Sequence, residues 1–263
     1  MKRVSGGESD LRRDRRRLSF DSPMASSTAS QVLQGRRILL TGASRGVGLE
    51  CARLFLASGA RVIGAAKDPE RLEAVAEQLK PLGEFHPLVL DLTQPGFERA
   101  AAAAVTRDFG GALDILFNNA GIMSGSDGAV SEPPGNLEKT LQVNLIAVHN
   151  LIRGLLPALL KGKEPRILNT SSGAGNVGAV GENSLASYRV SKFALNGLTL
   201  NWAGALKGQV AVNAFDPGWV KTDMGGPNAP GTPQESARGA LDLVLKPFPV
   251  TGKFWKDGSE IPW

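Results

Sequence analysis

Hydrophobic residues in this chain occur in two patterns that alternate along its length. Short apolar runs, typical of buried strands, begin near residues 36, 60, 84, 113, 166 and 209, with a last short one near residue 252. Between them lie amphipathic stretches that predict helices, such as residues 47–58, 69–79 and 95–109. The alternation predicts an α/β fold: a doubly wound, seven-stranded parallel sheet flanked by helices on both faces, in a single domain.

Three further helices are predicted in the second half of the chain. The longest rests on an apolar stripe with spacings of three and four: Leu137, Leu141, Leu145, Val148, Ile152, Leu155 and Leu159. Another extends through residue 188 to about residue 206, and a third covers residues 233–245. No linker or internal repeat divides the chain after residue 34.

Residues 1–34 differ from the rest in composition. They are rich in Arg and Ser and have little periodic hydrophobicity, so we predict a disordered tail at 1–34 and one domain at 35–263. An organellar transit peptide is disfavoured by the acids Glu8, Asp10, Asp14 and Asp21. Translation starting at Met24 is a further alternative that leaves the first segment an upstream extension.

Composition excludes several classes of function. Cys51 is the single cysteine and the two histidines are far apart, so we expect no metal site and no disulfide. No apolar run approaches the roughly 18 residues that a membrane span requires. The tail supplies +3 of the net charge of +5, so nothing in the body indicates a nucleic-acid partner. A cytoplasmic location is the expectation.

The first strand and first helix are joined by a glycine-rich turn, residues 41–48 with the sequence TGASRGVG. Glycines here let the backbone approach a pyrophosphate, which the helix N-terminus then stabilises. An ordinary tight turn is the simpler alternative. The context between a strand and a helix favours a dinucleotide site.

The end of the second strand indicates which dinucleotide binds. An acid commonly stands there to hold the adenosine ribose, but this chain has Ala66 followed by Lys67. Lys67 and Arg45 would attract a 2′-phosphate, so NADP(H) is the predicted cofactor. The alternative is that Lys67 is a solvated surface lysine. Asp91, at the end of the third strand, could accept a hydrogen bond from the adenine amino group.

Candidate chemistry lies in the helix that carries Tyr188 and Lys192. Four residues apart, these side chains project from one helix face, and a nearby ammonium favours the phenolate and lowers its pKa. A phenol tuned in this way can exchange a proton with a carbonyl or an alcohol. By itself the pair more commonly marks a core ring beside a solvated amine. Asn118-Asn119-Ala120-Gly121, which ends the fourth strand, is either ligand-binding or simple turn chemistry.

The motifs TGxxxGxG, NNAG, SS…YxxxK and a late Pro-Gly, in this order, resemble those of the short-chain dehydrogenase/reductase family, over about residues 36–263. The segment from Asp216 to Gly226 and the ending DGSEIPW also resemble the C-factor and sniffer-type carbonyl reductase branch. The resemblance implies a Rossmann-type fold and a catalytic tetrad of Asn144, Ser172, Tyr188 and Lys192, with Ser172 preferred over Ser171. A solvated helix asparagine is the alternative for Asn144.

The cofactor-binding residues that the motifs and the resemblance together indicate form a larger set. They are Gly42, Ser44, Arg45, Gly46, Val47, Gly48, Lys67, Asp91, Leu92, Asn118, Ala120, Gly121, Tyr188, Lys192, Pro217, Gly218, Val220 and Thr222. The last four of these residues, Pro217, Gly218, Val220 and Thr222, would hold the carboxamide group of the nicotinamide. Ser172 and Tyr188 are separated by a few more residues than is usual in the family, and residues 175–184 would form a flexible loop that alters substrate access.

The function expected from the resemblance is NADPH-dependent reduction of a carbonyl, with Tyr188 as general acid/base. A Gly- and Pro-rich segment at 223–233 lies where a substrate lid belongs and has no Arg or Lys, which favours a neutral ketone, aldehyde or quinone. The alternative is an NADP(H)-binding sensor with little turnover. Relatives often pair through the two long helices, so a homodimer or homotetramer stays open.

Overall fold

The computed structural model describes residues 31–125 and 127–263. The predictions for the tail up to residue 30 lie outside the described residues. The packed region begins earlier than residue 35, because Leu33 is buried in the core and its amide donates to Ser58 O at 2.9 Å.

The strands appear where the apolar runs predict them. They are β1 (Arg37–Thr41), β2 (Arg61–Ala66), β3 (Phe85–Val89), β4 (Ile115–Asn118), β5 (Arg166–Thr170), β6 (Ala211–Phe215), β7 (Phe254–Lys256) and β8 (Ser259–Ile261). They form one sheet in the order β3-β2-β1-β4-β5-β6-β7-β8. Neighbouring strands from β3 to β7 are parallel, as predicted, and each is hydrogen-bonded to the next.

The prediction of seven strands is wrong by one. β8 pairs with β7 in the antiparallel direction, with Trp255 opposite Glu260, and adds an eighth strand at the edge. Asp257 and Gly258 connect the two strands with positive φ angles of 48° and 75°. The two strands are only three residues long, too short for a period-two pattern to reveal a hairpin.

Helices cover both faces of the sheet. They are α1 (Gly46–Ala57), α2 (Pro69–Leu79), α3 (Phe97–Phe109), α4 (Asn136–Leu141), α5 (Ala147–Leu159), α6 (Val177–Val180), α7 (Ala186–Ala205) and α8 (Pro233–Val244). Short 3₁₀ turns lie at Lys80–Leu82 and Gly173–Gly175. Side chains of α1, α2 and α8 pack in one core, and those of α3, α5 and α7 pack in a second core on the other face. This is the doubly wound architecture that the sequence predicts.

The long helix predicted from the leucine stripe is interrupted. A π-helical turn, Gln142–Ile146, joins α4 to α5 and shifts the buried face. Leu155 and Leu159 are buried as expected, whereas Leu137 is exposed and Thr140 is buried in its place. The stripe is thus correct for α5 and wrong before it, because an extra residue in the π turn breaks the helical period.

Within the part of the chain that the structure describes, no helix has the length and apolarity needed to cross a membrane.

Candidate active site

The cavity that holds the predicted site lies beyond the carboxyl ends of β1 and β4. The chain proceeds from β1 toward β2 on one side, while β4 lies on the other, and this reversal of strand order opens a crevice. The cavity has a volume of about 1360 Å³. It is lined by all the predicted cofactor and catalytic residues except Asn118 and Asn144.

Protein atoms pack closely against the glycines of the turn. A Cβ atom on Gly48 would lie 2.1 Å from Gly42 O, and one on Gly42 would lie 2.9 Å from Asn119 Nδ2. Gly42 and Gly46 have φ angles of 71° and 55°, a region that favours glycine. These positions admit no side chain, so the backbone surface stays open toward the cavity.

The N-terminus of α1 faces that surface without a side-chain cap. Arg45 occupies the N-cap position and its side chain makes no capping hydrogen bond. The first turn carries no acidic residue. Free amides and the positive end of the helix dipole make this a site that fits a pyrophosphate.

Thr41 and Asn119 hold β1 and β4 in register at the cavity floor. Thr41 Oγ1 accepts from the amides of Asn119 and Ala120, each at 3.0 Å, and Asn119 Nδ2 donates to Thr41 O at 3.0 Å. Asn118, predicted among the cofactor ligands, does not line the cavity. Its side chain is buried and donates to Asn169 Oδ1 at 2.9 Å, so Asn118 supports the floor from beneath.

Basic side chains gather at the end of the cavity next to β2, which the sequence predicts to be its adenosine end. Arg45 and Lys67 line it as predicted, and Arg71 from α2 joins them. Asp91 accepts from the amide and the hydroxyl of Thr93, at 2.9 Å and 2.7 Å, on Oδ1. These bonds, helped by the charge of Lys67, hold the pKa of Asp91 below its usual value. Asp91 therefore stays ionised and able to accept.

Tyr188, Lys192 and Ser172 meet at the opposite end. Lys192 Nζ lies 5.6 Å from the centre of the Tyr188 ring and donates to Thr170 O at 2.7 Å. Ser172 Oγ accepts from Ala174 N at 3.1 Å, and Ser172 lowers the pKa of the Tyr188 phenol. Ser171 is fully buried and donates to Asn196 Oδ1 at 2.5 Å, away from the cavity. This placement supports the choice of Ser172.

The protonation of the pair differs from the expectation. Burial raises the pKa of Tyr188 to about 12, with Ser172 lowering it and Asp216 raising it further. Burial lowers the pKa of Lys192 to about 8, partly offset by Asp216. Lys192 does not lower the tyrosine pKa here, because desolvation of the phenolate outweighs any charge effect. Tyr188 carries its proton at neutral pH.

Asn144 is buried in the π turn, so the alternative of a solvated helix asparagine is wrong. Its Oδ1 accepts from Ile122 N at 2.8 Å, and its Nδ2 donates to Ile122 O at 2.9 Å and Ser191 Oγ at 3.0 Å. A Cβ atom on Gly121 would lie 3.3 Å from Asn144 Oδ1 and 3.6 Å from Lys192 Nζ. Asn144 thus fastens the segment after β4 close to Lys192.

Comparison with known proteins agrees with this geometry. Residues 36–232 match the sequence profile of the family described as short chain dehydrogenase. The chain belongs to the short-chain dehydrogenase family.

Individual members of the family resemble this chain over most of its length. The 3-oxoacyl-(acyl-carrier-protein) reductase FabG of Vibrio cholerae is 33% identical over 193 residues, covering 73% of this chain and 76% of FabG. The NADPH-bound carbonyl reductase from chicken fatty liver has 31% identity and a TM-score of 0.81, over 88% of this chain and 100% of its own. The carbonyl reductase Sniffer of Drosophila melanogaster has 27% identity and a TM-score of 0.78, over 88% and 100%.

Asp216 of this short-chain dehydrogenase has a structural role that the sequence motifs do not predict. This carboxylate is buried and accepts from Gly173 N at 3.1 Å and Gly218 N at 2.8 Å. It thereby joins the turn after Ser172 to the Pro-Gly turn. A buried acid directly before Pro-Gly at a strand end is a signal that could have marked it, because such a group needs partners.

Arg189 is a second residue whose role the sequence motifs do not predict. It is buried next to Tyr188, and its guanidinium donates to Ser184 O at 2.8 Å and Ala179 O at 3.0 Å and pairs with Glu182 at 2.5 Å. Residues 175–184, predicted to be a flexible loop, are partly helical and tied to α7 by this side chain. Leu185 follows with a positive φ of 53° and lines the cavity.

No cluster of three or more His, Cys, Asp or Glu residues suited to a metal ion occurs in residues 31–125 and 127–263.

Proposed function

We propose that the chain is an NADPH-dependent reductase that converts a neutral carbonyl compound to an alcohol. The observation that carries this proposal is that Tyr188, Ser172 and Lys192 line the same cavity as the glycine turn. A proton donor beside a dinucleotide site is the arrangement that carbonyl reduction requires. The family membership and the likeness to carbonyl reductases support it.

The residues present fit NADP(H). The cradle of Gly42, Gly46 and Gly48 and the uncapped N-terminus of α1 would hold the pyrophosphate. Arg45, Lys67 and Arg71 would hold the 2′-phosphate, with Arg71 an addition to the residues expected from the sequence. The bound cofactor supplies the hydride that reduces the carbonyl carbon.

The side chains of the chain supply the proton and orient the substrate. Tyr188 donates its hydroxyl proton to the carbonyl oxygen, and Ser172 Oγ hydrogen-bonds that oxygen as negative charge develops. A tyrosine whose pKa is about 12 holds its proton at neutral pH, which suits an acid rather than a base. Lys192, whose ammonium donates to Thr170 O, would return a proton to Tyr188.

The wall around Tyr188 supports a neutral, partly apolar substrate. Ile122, Met123, Leu185, Trp219 and Met224 line the cavity. The charge of Lys256 in the same wall is matched by Asp216, whose carboxylate lies 3.9 Å away. Lys139 also lines the cavity and is exposed, so an anionic keto compound is included in the test below.

A homodimer through the two long helices belongs to the same proposal. Apolar side chains are exposed on the π turn before α5 and on α7, among them Ile146, Val190, Phe193 and Leu200. A groove between them is lined by Leu145, His149, Ala194 and Leu198, together with others. A second copy of the chain, seated on this face, would cover these side chains.

The test is turnover of a panel of ketones, aldehydes, quinones and anionic keto compounds, run in parallel with NADPH and NADH. We expect NADPH-dependent reduction of neutral members, with NADH much slower. Faster turnover with NADH would contradict the roles of Arg45, Lys67 and Arg71. Tight NADPH binding without turnover of any compound would instead favour the cofactor-binding sensor.

A further inference from the structure

A short segment after the Pro-Gly turn crosses the cofactor cleft. We call residues 219–226 the strap. Its backbone is folded on itself, since Thr222 O accepts from Gly226 N at 2.8 Å and Trp219 Nε1 donates to Gly225 O at 2.8 Å. A Cβ atom on Gly46 would lie 3.1 Å from Thr222 Cγ2, so the strap lies directly on the glycine turn.

Asp223 reaches from the strap to the adenosine end of the cleft. Its Oδ2 pairs with Arg45 Nη1 and lies 3.9 Å from Arg71 Nη1. Both arginines line the cavity at the end where Ala66 and Lys67 close β2. The side chains of Arg45 and Asp223 are 60% and 68% exposed, so each can turn to another partner.

The carboxylate of Asp223 and a phosphate monoester have the same requirement. Each is an anion whose oxygens accept from guanidinium groups. Two anions that share the same two arginines repel one another, because both are negatively charged. Arg71 already faces a second acid, Asp68, at 3.9 Å.

We propose that Asp223 is an internal competitor for the 2′-phosphate of NADPH, and that it links the strap to recognition of the phosphate. In the free chain Asp223 holds the strap against Arg45 and Arg71. A 2′-phosphate takes over the two arginines and releases Asp223, whereas a cofactor without that phosphate leaves the pair in place. Asp223 therefore limits the preference for NADPH. The inference rests on the NADPH preference proposed above.

The experiment is calorimetric titration with 2′,5′-ADP and with 5′-AMP, which differ only in the 2′-phosphate and need no turnover. We expect the wild type to bind 2′,5′-ADP more tightly than 5′-AMP. Asp223→Asn should tighten 2′,5′-ADP by about two- to fivefold, the range set by the strength of an exposed ion pair, and leave 5′-AMP within about twofold. The gain should shrink as salt is raised, because the competing charges are exposed.

Glu73→Gln is the matched control, since it removes one negative charge from an exposed position on α2. It should leave both affinities unchanged. In an Arg45→Met background, where one partner of the carboxylate is gone, Asp223→Asn should gain less than in the wild type.

Each outcome has a distinct meaning. A wild type that prefers 2′,5′-ADP, combined with an Asp223→Asn variant that gains nothing or loses affinity for it, overturns the competitor role and leaves the proposed function intact. Equal tightening of both nucleotides overturns it as well, since that is a general charge effect. A wild type with no preference for 2′,5′-ADP overturns the NADPH assignment itself.

Discussion

The two ends of the cavity are built in different ways. At the end with the glycine turn, where we propose that the cofactor binds (the cofactor end), the surface is backbone. It is shaped by glycines that admit no Cβ and by a threonine and an asparagine that join β1 to β4. At the end with Tyr188, where we propose that the substrate binds (the substrate end), the walls are loops held by side-chain hydrogen bonds: Asn144 to Ile122, Arg189 to residues 179–184, and Trp219 to Gly225. A surface made of backbone atoms fits one kind of ligand, whereas the shape of loops that are held by side chains can change with a few substitutions.

The family includes reductases named for a 3-oxoacyl group on a carrier protein and others named simply for carbonyls. The following changes test the contrast, in order of expected effect.

Replacing Tyr188 by Phe separates chemistry from binding. The ring and its packing remain, but the hydroxyl that donates the proton is lost. We expect turnover to fall by about 10²–10⁴-fold, while the NADPH dissociation constant stays within about twofold. Steady-state rates and a fluorescence titration measure the two. Undiminished turnover would remove Tyr188 from its proposed role.

Gly48→Ala tests whether the shape of the glycine turn is needed for NADPH binding. The new methyl group would lie 2.1 Å from Gly42 O, so the turn must move. We expect NADPH binding to weaken more than about tenfold, measured by titration, with a lower melting temperature.

Gly204→Ala serves as the control for that change, because a Cβ atom there meets nothing within 4 Å and the residue lies in α7. It should stabilise the chain by about 0.5–1 kcal/mol and leave NADPH binding unchanged. If both variants bound NADPH like the wild type, the close packing of the turn would have no bearing on the cofactor.

Arg189→Leu challenges the substrate end. It leaves the carbonyl oxygens of Ala179 and Ser184 without their donor and releases the segment that leads to Leu185. We expect KM for the carbonyl to rise about three- to tenfold, with a smaller change in kcat and with NADPH affinity unchanged.

Arg189→Lys should restore part of the loss, since an ammonium can still donate to one of the carbonyls. Arg153→Leu, at an exposed site on α5, is the control and should change neither constant. A KM that stays the same in Arg189→Leu, or an NADPH affinity that falls with it, would argue against a specific role at the substrate end.

The smallest effect concerns stability and pH. The pKa of Lys192 is lowered to about 8 by burial, so in the unfolded chain the amine binds its proton more tightly than in the folded chain. Between pH 8 and the ordinary lysine value, stability therefore rises with pH as the buried charge is lost. Relative to Lys192→Met, the wild type should gain unfolding free energy between pH 8 and 10.

Denaturant unfolding of both proteins at several pH values measures that difference. A difference that stays constant over this range would mean that Lys192 titrates normally, and so is better solvated than its burial indicates. The range stops at pH 10 because the pKa of Tyr188 is raised, and its contribution to stability falls above that pH.

Sequence motifs predicted correctly where the glycine turn and Lys67 lie in the fold. The glycine turn lies between β1 and α1, and Lys67 follows β2, as expected. Local motifs succeed here because one turn of the chain supplies nearly the whole surface. Asn118 is the exception: its neighbour Asn119 lines the cavity, and only the direction of each side chain in β4 distinguishes them.

What the sequence by itself determined is the parallel sheet, the doubly wound helices and the placement of Ser172, Tyr188 and Lys192 among the residues of one site. Only the tertiary structure decided the π turn that buries Asn144, the eighth strand, and the contacts of Asp216, Arg189 and Asp223. For the contacts of Asp216 and Asp223 the physical reason is distance along the chain, whereas the π turn and the eighth strand are local but too short to leave a period in the sequence. The hydrophobic periods of strands and helices are local. Asp223 and Arg45 form an ion pair although they are 178 positions apart, and no local pattern predicts such a contact.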